Sequence, residues 1–286
     1  MLKFIGRHWH GETNFWLGTL LFSIALPVCI YVAGIQWIGL YALQDTPTSR
    51  MIQAALVSSL IGAVGIWQLI GTWRTSSKNK SPERWLLTRW GARIAAVATA
   101  GMALLILTKI PSGMASLYAD ATDADRFGQE GYSVVVDGDQ IVVNGSFAWG
   151  LLDKTASLLA QNGQIQTAVV DGPGGHVGVG TRLGAMIKAR NLDTLTTKLC
   201  ASACTDAFVA GKNRYLRKGA KLGFHSVGGD SPLAIEIGKK GTIEHWRAAG
   251  LTEDFIARVF ETPADSVWYP TYDELLGANV ITAVVK

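Results

Sequence analysis

Cysteine is scarce, with three residues in a chain of 286. That is too few for a disulfide-built scaffold, and neither a Cys-x-x-Cys pair nor a Cys/His cluster at zinc-ligand spacing occurs. Charge is also scarce, at 17% of residues. With 49% hydrophobic residues and a mean hydropathy of +0.23, this excludes an intrinsically disordered chain and argues against a wholly soluble one. No Gly-x-x-x-x-Gly-Lys-[Ser/Thr] or Gly-x-Gly-x-x-Gly loop is present, so no nucleotide cradle can be read. The net charge of +4 is unevenly spread: up to residue 116 there are 10 Lys and Arg against 3 Asp and Glu, and afterwards 16 against 19. The positive excess lies at the flanks of apolar segments, which points to a bilayer rather than to nucleic acid.

From Phe15 to Leu40 no charged residue occurs, a stretch longer than the roughly 20 residues a helix needs to cross a hydrocarbon core. Pro27 lies near its middle, Cys29 within it, and Trp16, Trp37 and Tyr41 at its ends, where amphipathic rings favour the interface. A cleaved signal peptide is the weaker reading, because the run is too long and no small-x-small cleavage pattern follows. Met51–Trp73 is a second uncharged run, with Gly62, Gly65 and Gly71 available for close helix contact. Ile94–Ile110 is a third, with Lys109 placed to snorkel. Read as a buried soluble helix instead, it would leave two spans and put the C-terminal part on the other side. Arg74, Lys78, Lys80, Arg84, Arg89 and Arg93 against a single Glu83 mark the loop between the second and third runs as cytoplasmic. The N-terminus then lies inside and everything after about Pro111 outside the cytoplasm, as in a multi-pass membrane protein. His8 and His10 flank Trp9 without a third ligand nearby and read as interfacial residues.

Residues 112–130, rich in Ala, Asp, Gly and Ser, read as a linker to a domain over 131–286. Two β-rich runs around Asp137-Gly138-Asp139 form a hairpin pattern. Helical spacing over 147–161 follows, then a buried strand at 166–170, a helix at 179–190, a strand at 194–199, a helix at 202–210 and a strand at 222–225. Three helices, the last opened by the capping-box pattern Thr271-x-x-Glu274, lead to a final strand at 280–285. Such alternation predicts an α/β fold with a mostly parallel sheet.

Three segments carry chemistry. Asp171-Gly172-Pro173-Gly174-Gly175 follows a buried strand, and its glycines leave backbone N–H groups open to an oxyanion, though a plain glycine-rich turn would look the same. Cys200-Ala201-Ser202-Ala203-Cys204 puts a serine at a strand-to-helix junction. Ser202 there is either an N-cap or a nucleophile whose developing charge the Ala203 N–H and the helix dipole stabilise. Gly223-Phe224-His225-Ser226 ends an apolar strand in a histidine, which is either a hydrogen-bonded core residue or the base a serine nucleophile requires.

In order and spacing, Pro-Gly-Gly, Cys-Ala-Ser-Ala-Cys about 27 residues later and Gly-Phe-His with its histidine about 23 beyond the serine resemble the Clp-protease/crotonase superfamily. The likeness is greatest to its membrane-anchored or periplasmic Clp-protease-like serine peptidases and covers roughly residues 131–286. The resemblance implies a ClpP/crotonase-like spiral of ββα units after a three-helix transmembrane region, in a bacterial inner membrane with the domain in the periplasm. It implies Ser202 as nucleophile, His225 as general base, and the backbone N–H groups of Gly174 and Ala203 as oxyanion hole. The family's aspartate falls within Asp265–Pro270: Asp265 is the nearest carboxylate, whereas register from the final strand puts Ser266 or Val267 at that position. A Ser/His dyad oriented by another group is the open alternative.

A Ser/Lys dyad would draw on Lys239 or Lys240, whose setting between Gly238 and Gly241 reads as a solvated loop. Outside the cytoplasm Cys200 and Cys204 could oxidise to a disulfide, with buried thiols as the other reading. His176 and His245 have no partner identifiable in the sequence. The expectation is therefore an ATP-independent, membrane-anchored serine peptidase acting on peptides or proteins, homo-oligomeric, with no metal, no cofactor and no nucleic-acid partner. A catalytically weak or inactive membrane scaffold of the same fold is the alternative.

Overall fold

The computed structural model describes residues 2–12, 46–78, 110–228 and 232–286, together with Cys29 and individual positions between 90 and 108. Contacts divide the chain into two units, Met1–Leu40 with Thr48–Leu117 and Tyr41–Pro47 with Tyr118–Lys286.

In the first unit, helices α1 (Leu2–Trp9) and α2 (Pro47–Lys78) pack closely at Gly71, where a Cβ would collide with the His8 ring. Arg74 Nη1 donates to the Trp9 carbonyl at 2.8 Å, and Lys78 Nζ to that of His10 at 2.7 Å. His8 is thus a packed residue, buried beside the Trp67 ring at 4.6 Å. Gly62 and Gly65, expected to offer the same close contact, have nothing within 4 Å. With 32 residues, α2 contains the expected span 51–73 and is the one helix among the described residues long and apolar enough to cross a membrane. Of the expected span 15–40 only Cys29 is among the described residues. The span 94–110 is described only at scattered positions, those up to Leu105 being helical.

The segment expected to be a linker is largely helical, as α3 (Ile110–Ala121) and α4 (Arg126–Glu130). Alanines, Met114 and Leu117 favour α3, and Asp125 caps α4 by accepting from the N–H groups of Gly128 and Phe127. A mixed α/β domain follows: β1 (Tyr132–Asp137), β2 (Gln140–Phe147), α5 (Gly150–Gln161), β3 (Thr167–Gly175), α6 (Val177–Ala189), β4 (Asp193–Thr196), β5 (Leu199–Ala201), α7 (Ala203–Phe208), β6 (Arg214–Arg217), β7 (Lys221–Gly223), α8 (Pro232–Ala248), α9 (Glu253–Glu261), α10 (Tyr272–Gly277) and β8 (Ala283–Val285). β1 and β2 form the expected antiparallel hairpin through Gly138 at φ 60, and the other named strands pair in parallel.

The sheet runs β1-β2-β3-β4-β6-β8 and forks at β3. The first half of β3 pairs with β4, while Gly172 pairs with Cys200 of β5, which in turn pairs with β7. The fork requires the chain to turn between β4 and β5, so the single strand expected over 194–199 is broken there. The buried Asp171 carboxylate holds the turn, accepting from Thr197 N and Lys198 N at 2.9 Å each and from the Thr197 hydroxyl. Lys239 and Lys240, expected in a solvated loop, lie instead within helix α8, whose Ile243 and Trp246 pack on the core. The capping box of Thr271 and Glu274 is present at α10.

Candidate active site

The glycine-rich segment after the buried strand is not a turn. Past a bulge between Asn144 and Ser146, the β2–β3 pairing resumes at Ser146 with Gly174 and Phe147 with Gly175, so β3 continues to Gly175. Gly174 has φ 98, and a Cβ there would lie 2.7 Å from both the Ala201 carbonyl oxygen and Ser202 Cβ, and 3.0 Å from Ala203 N. Only glycine can present its backbone this close to the serine.

Ser202 links β5 to α7 at φ 54 and ψ −130, a region that L-residues occupy only under constraint, at a cost of about 1–3 kcal/mol. Its N–H donates to the Gly223 carbonyl at 2.9 Å, and its own carbonyl accepts from Thr205 N at 2.8 Å and Thr205 Oγ1 at 2.7 Å. The side chain makes no capping bond, so the hydroxyl is not the N-cap that its position in the sequence also allowed. Ala203 N–H, at the first helical position, has no partner within its own helix. Gly180 of α6 packs its Cα against the Ala203 carbonyl, fixing the start of α7 from behind.

His225 follows β7 and is anchored by its neighbour Phe224. That ring is buried among Trp246, Phe255 and Trp268 at 5.7, 5.1 and 6.5 Å between centroids. β5 and β7 pair in register at Ala201 with Gly223, which brings the serine and histidine segments to the ends of adjacent strands. His225 Nδ1 lies 2.7 Å from the Ser226 carbonyl oxygen. A carbonyl can only accept, so Nδ1 is the donor, and the neutral tautomer compatible with this bond has its lone pair on Nε2. Among the described residues, no hydrogen bond joins His225 to Ser202. Such bonds are often long in unliganded sites.

The structure does not bring Asp265 to His225. Asp265 is exposed, and its Oδ1 accepts from Ser266 Oγ at 3.3 Å. Phe224 and Trp268 form an antiparallel bridge, so Val267 stands opposite His225, and Val267 and Tyr269 cover Gly223. The orienting position beside the imidazole is taken by a main-chain carbonyl. Lys239 Nζ lies over the Phe260 ring at 5.1 Å, and Lys240 is exposed. Cys200 and Cys204 form a disulfide across the serine turn. Cys29 is a free, exposed thiol.

Asp206 was not singled out from the sequence, and His176 and His245 were named there without their partners. Asp206 of α7 is fully buried, and its Oδ1 accepts from Trp246 Nε1 at 2.8 Å. Burial pushes its carboxyl up to about 7, against the pull of that bond. His245 donates through Nε2 to the Asp206 carbonyl at 2.7 Å, and burial lowers its pKa. His176, directly after Gly175, lies 2.9 Å from Asp125 Oδ2 and 3.8 Å from Asp120 Oδ1, with its ring beside Phe127 and Trp149. Among the described residues, Asp120, Asp125 and His176 are the group whose ligand atoms lie close enough to hold a metal ion. The His–Asp bond and the capping role of Asp125 account for the same arrangement without one.

Neither a protein-family profile nor a curated protein matches the sequence. Solved structures similar to the chain include ClpP1 from Listeria monocytogenes, at 18% identity over 52% of this chain and 91% of that one, with a TM-score of 0.45. A point mutant of the same Listeria protein gives 20% identity, the same coverages and a TM-score of 0.42. The ClpP protease catalytic domain from Plasmodium falciparum gives 16% identity over 51% of this chain and 83% of that one, with a TM-score of 0.43.

Proposed function

We propose that the chain is a membrane-anchored serine peptidase of ClpP/crotonase-like architecture, with Ser202 as nucleophile and His225 as general base. The observation that carries this reading is the Ser202 turn: a serine at φ 54 with no capping bond, pressed against Gly174 and followed by a first-turn N–H. In acylation Ser202 Oγ attacks the scissile carbonyl carbon while His225 Nε2 takes the hydroxyl proton. The N–H groups of Gly174 and Ala203 receive the negative oxygen of the tetrahedral intermediate. The C–N bond breaks as the imidazolium returns its proton to the leaving amine, and water repeats the sequence to free Ser202. The Ser226 carbonyl keeps the proton on Nδ1, which secures the productive tautomer. Being neutral, it stabilises the imidazolium less than a carboxylate would, so the enzyme is expected to turn over slowly.

The Cys200–Cys204 disulfide supports an oxidising compartment, and hence a domain outside the cytoplasm. Three spans at about 15–40, 51–73 and 94–110, a cytoplasmic N-terminus, independence from ATP and a homo-oligomeric state complete the reading. A reporter that works only outside the cytoplasm, fused after Lys286, should be active; a reporter active inside would overturn the topology. A membrane-tethered scaffold of the same fold is the second reading, favoured by the lack of a carboxylate at His225. Hydrolysis of quenched fluorescent peptides by the full chain in detergent separates the two. Ser202→Ala and His225→Ala should each lower kcat by about 10³-fold or more, whereas hydrolysis unchanged by Ser202→Ala would overturn the assignment.

A further inference from the structure

Ser202 holds a conformation that its surroundings must enforce, and the residues two before and two after it are covalently joined. Cys200 of β5 and Cys204 in the first turn of α7 are bonded with Cα atoms 5.3 Å apart, and both are fully buried. Cys200 is held in its strand from both sides, by Gly172 of β3 and Leu222 of β7. Ala203, whose amide nitrogen lies beside Gly174, is inside the same covalent loop.

We propose that the Cys200–Cys204 disulfide is a positioning device for the nucleophile, holding Ser202 at positive φ with its Oγ and the Ala203 N–H directed at one reacting carbonyl. This rests on Ser202 being the nucleophile, as read above. Without the bond, Ser202 can relax toward an ordinary α or β conformation, which separates the hydroxyl from the N–H. A displacement of about 1 Å at a reacting group can lower a rate by about 100-fold. The sequence separation is only 4, so the bond removes less entropy from the unfolded chain than one closing a long loop. Its loss is therefore expected to slow acylation by more than its modest effect on unfolding explains. Cys200 and Cys204 are positioning residues, acting through Ser202 and Ala203.

The test uses the full chain in detergent, with an activated ester as substrate and a serine-directed phosphonate as label. A water-soluble phosphine reduces the bond: the disulfide takes up two electrons and two protons to give two thiols, and the phosphine becomes its oxide with oxygen from water. Glutathione disulfide then reverses this, becoming two glutathione thiols. Reduction, counted by mass, should lower kcat and the rate of Ser202 labelling about 10- to 100-fold at temperatures well below the unfolding midpoint, with KM within about two-fold and only a modest fall in that midpoint. Reoxidation should restore the rate. Cys200→Ala/Cys204→Ala should show the same loss, insensitive to both reagents; if that variant does not unfold cooperatively, the reduced wild-type protein decides. Equal labelling rates in oxidised and reduced protein would overturn the positioning role while leaving the nucleophile intact. No labelling of Ser202 in the oxidised protein would overturn the nucleophile, and the positioning role with it.

Discussion

Helix α2 and the α/β domain use similar residues in opposite senses. In the domain Phe147, Phe208, Leu216 and Leu222 are buried, β1 and β4 alternate as half-buried strands should, and β3 is buried continuously from Ala168 to Gly172. In α2 the apolar side chains of Ile52, Leu56, Leu60 and Ile66 are 55–66% exposed, while Gln68, Thr72, Thr75 and Ser76 are buried. Hydropathy alone does not tell a core from a lipid-facing surface; the position of the polar side chains does. An outward apolar row on a 32-residue helix fits a bilayer as solvent, and the domain's inward one fits water.

Gly174 of the domain and Gly62 of α2 extend the comparison, and substitution at Gly174 has the largest expected effect. Gly174→Ala puts a methyl against Ala201 and Ser202 at a φ of 98, so hydrolysis should fall at least about 10²-fold. Gly62→Ala in α2 meets nothing within 4 Å and should leave hydrolysis unchanged. Parallel kinetics on the two variants check this, and equal losses would erase the distinction. Next comes Asp206, which has no counterpart in α2. Its carboxyl sits near 7 when folded, above its ordinary 3.8, so the folded state holds a proton that the unfolded state releases. Unfolding free energy should therefore fall by a few kcal/mol as pH rises from about 4 to about 7. Asp206→Asn should flatten that slope, as measured by denaturant melts across pH. A smaller effect is expected for Leu60→Arg, near the middle of the 51–73 span and 55% exposed, which should cost about 2.5–3.5 kcal/mol of insertion. It should lower the membrane-retained fraction while the protease-resistant domain survives. A domain lost along with retention would mean that the exposed row of α2 serves folding instead.

The residue types that the proposed site draws on are legible in the sequence. Serine between small residues, histidine after an apolar strand and glycines before a helix can be read because few other residues serve there. β6 was missed because Arg-Tyr-Leu-Arg carries charge at both ends of a short strand. The helical linker was missed because Asp and Gly look like loop residues until Asp125 is seen capping α4. Asp171 was read as part of a loop, since its partners lie 26 and 27 residues away. The group beside His225 Nδ1 could not be read at all, because a main-chain carbonyl leaves no mark in a sequence. Searching for a carboxylate led to Asp265, which faces solvent.

The most direct measurement is the site of covalent trapping. The full chain in lipid nanodiscs, reacted with a serine-directed phosphonate, should carry one adduct, mapped to Ser202 by peptide mass, and His225→Ala should slow its formation by orders of magnitude. An adduct on another residue, or one formed equally fast without His225, would contradict the account.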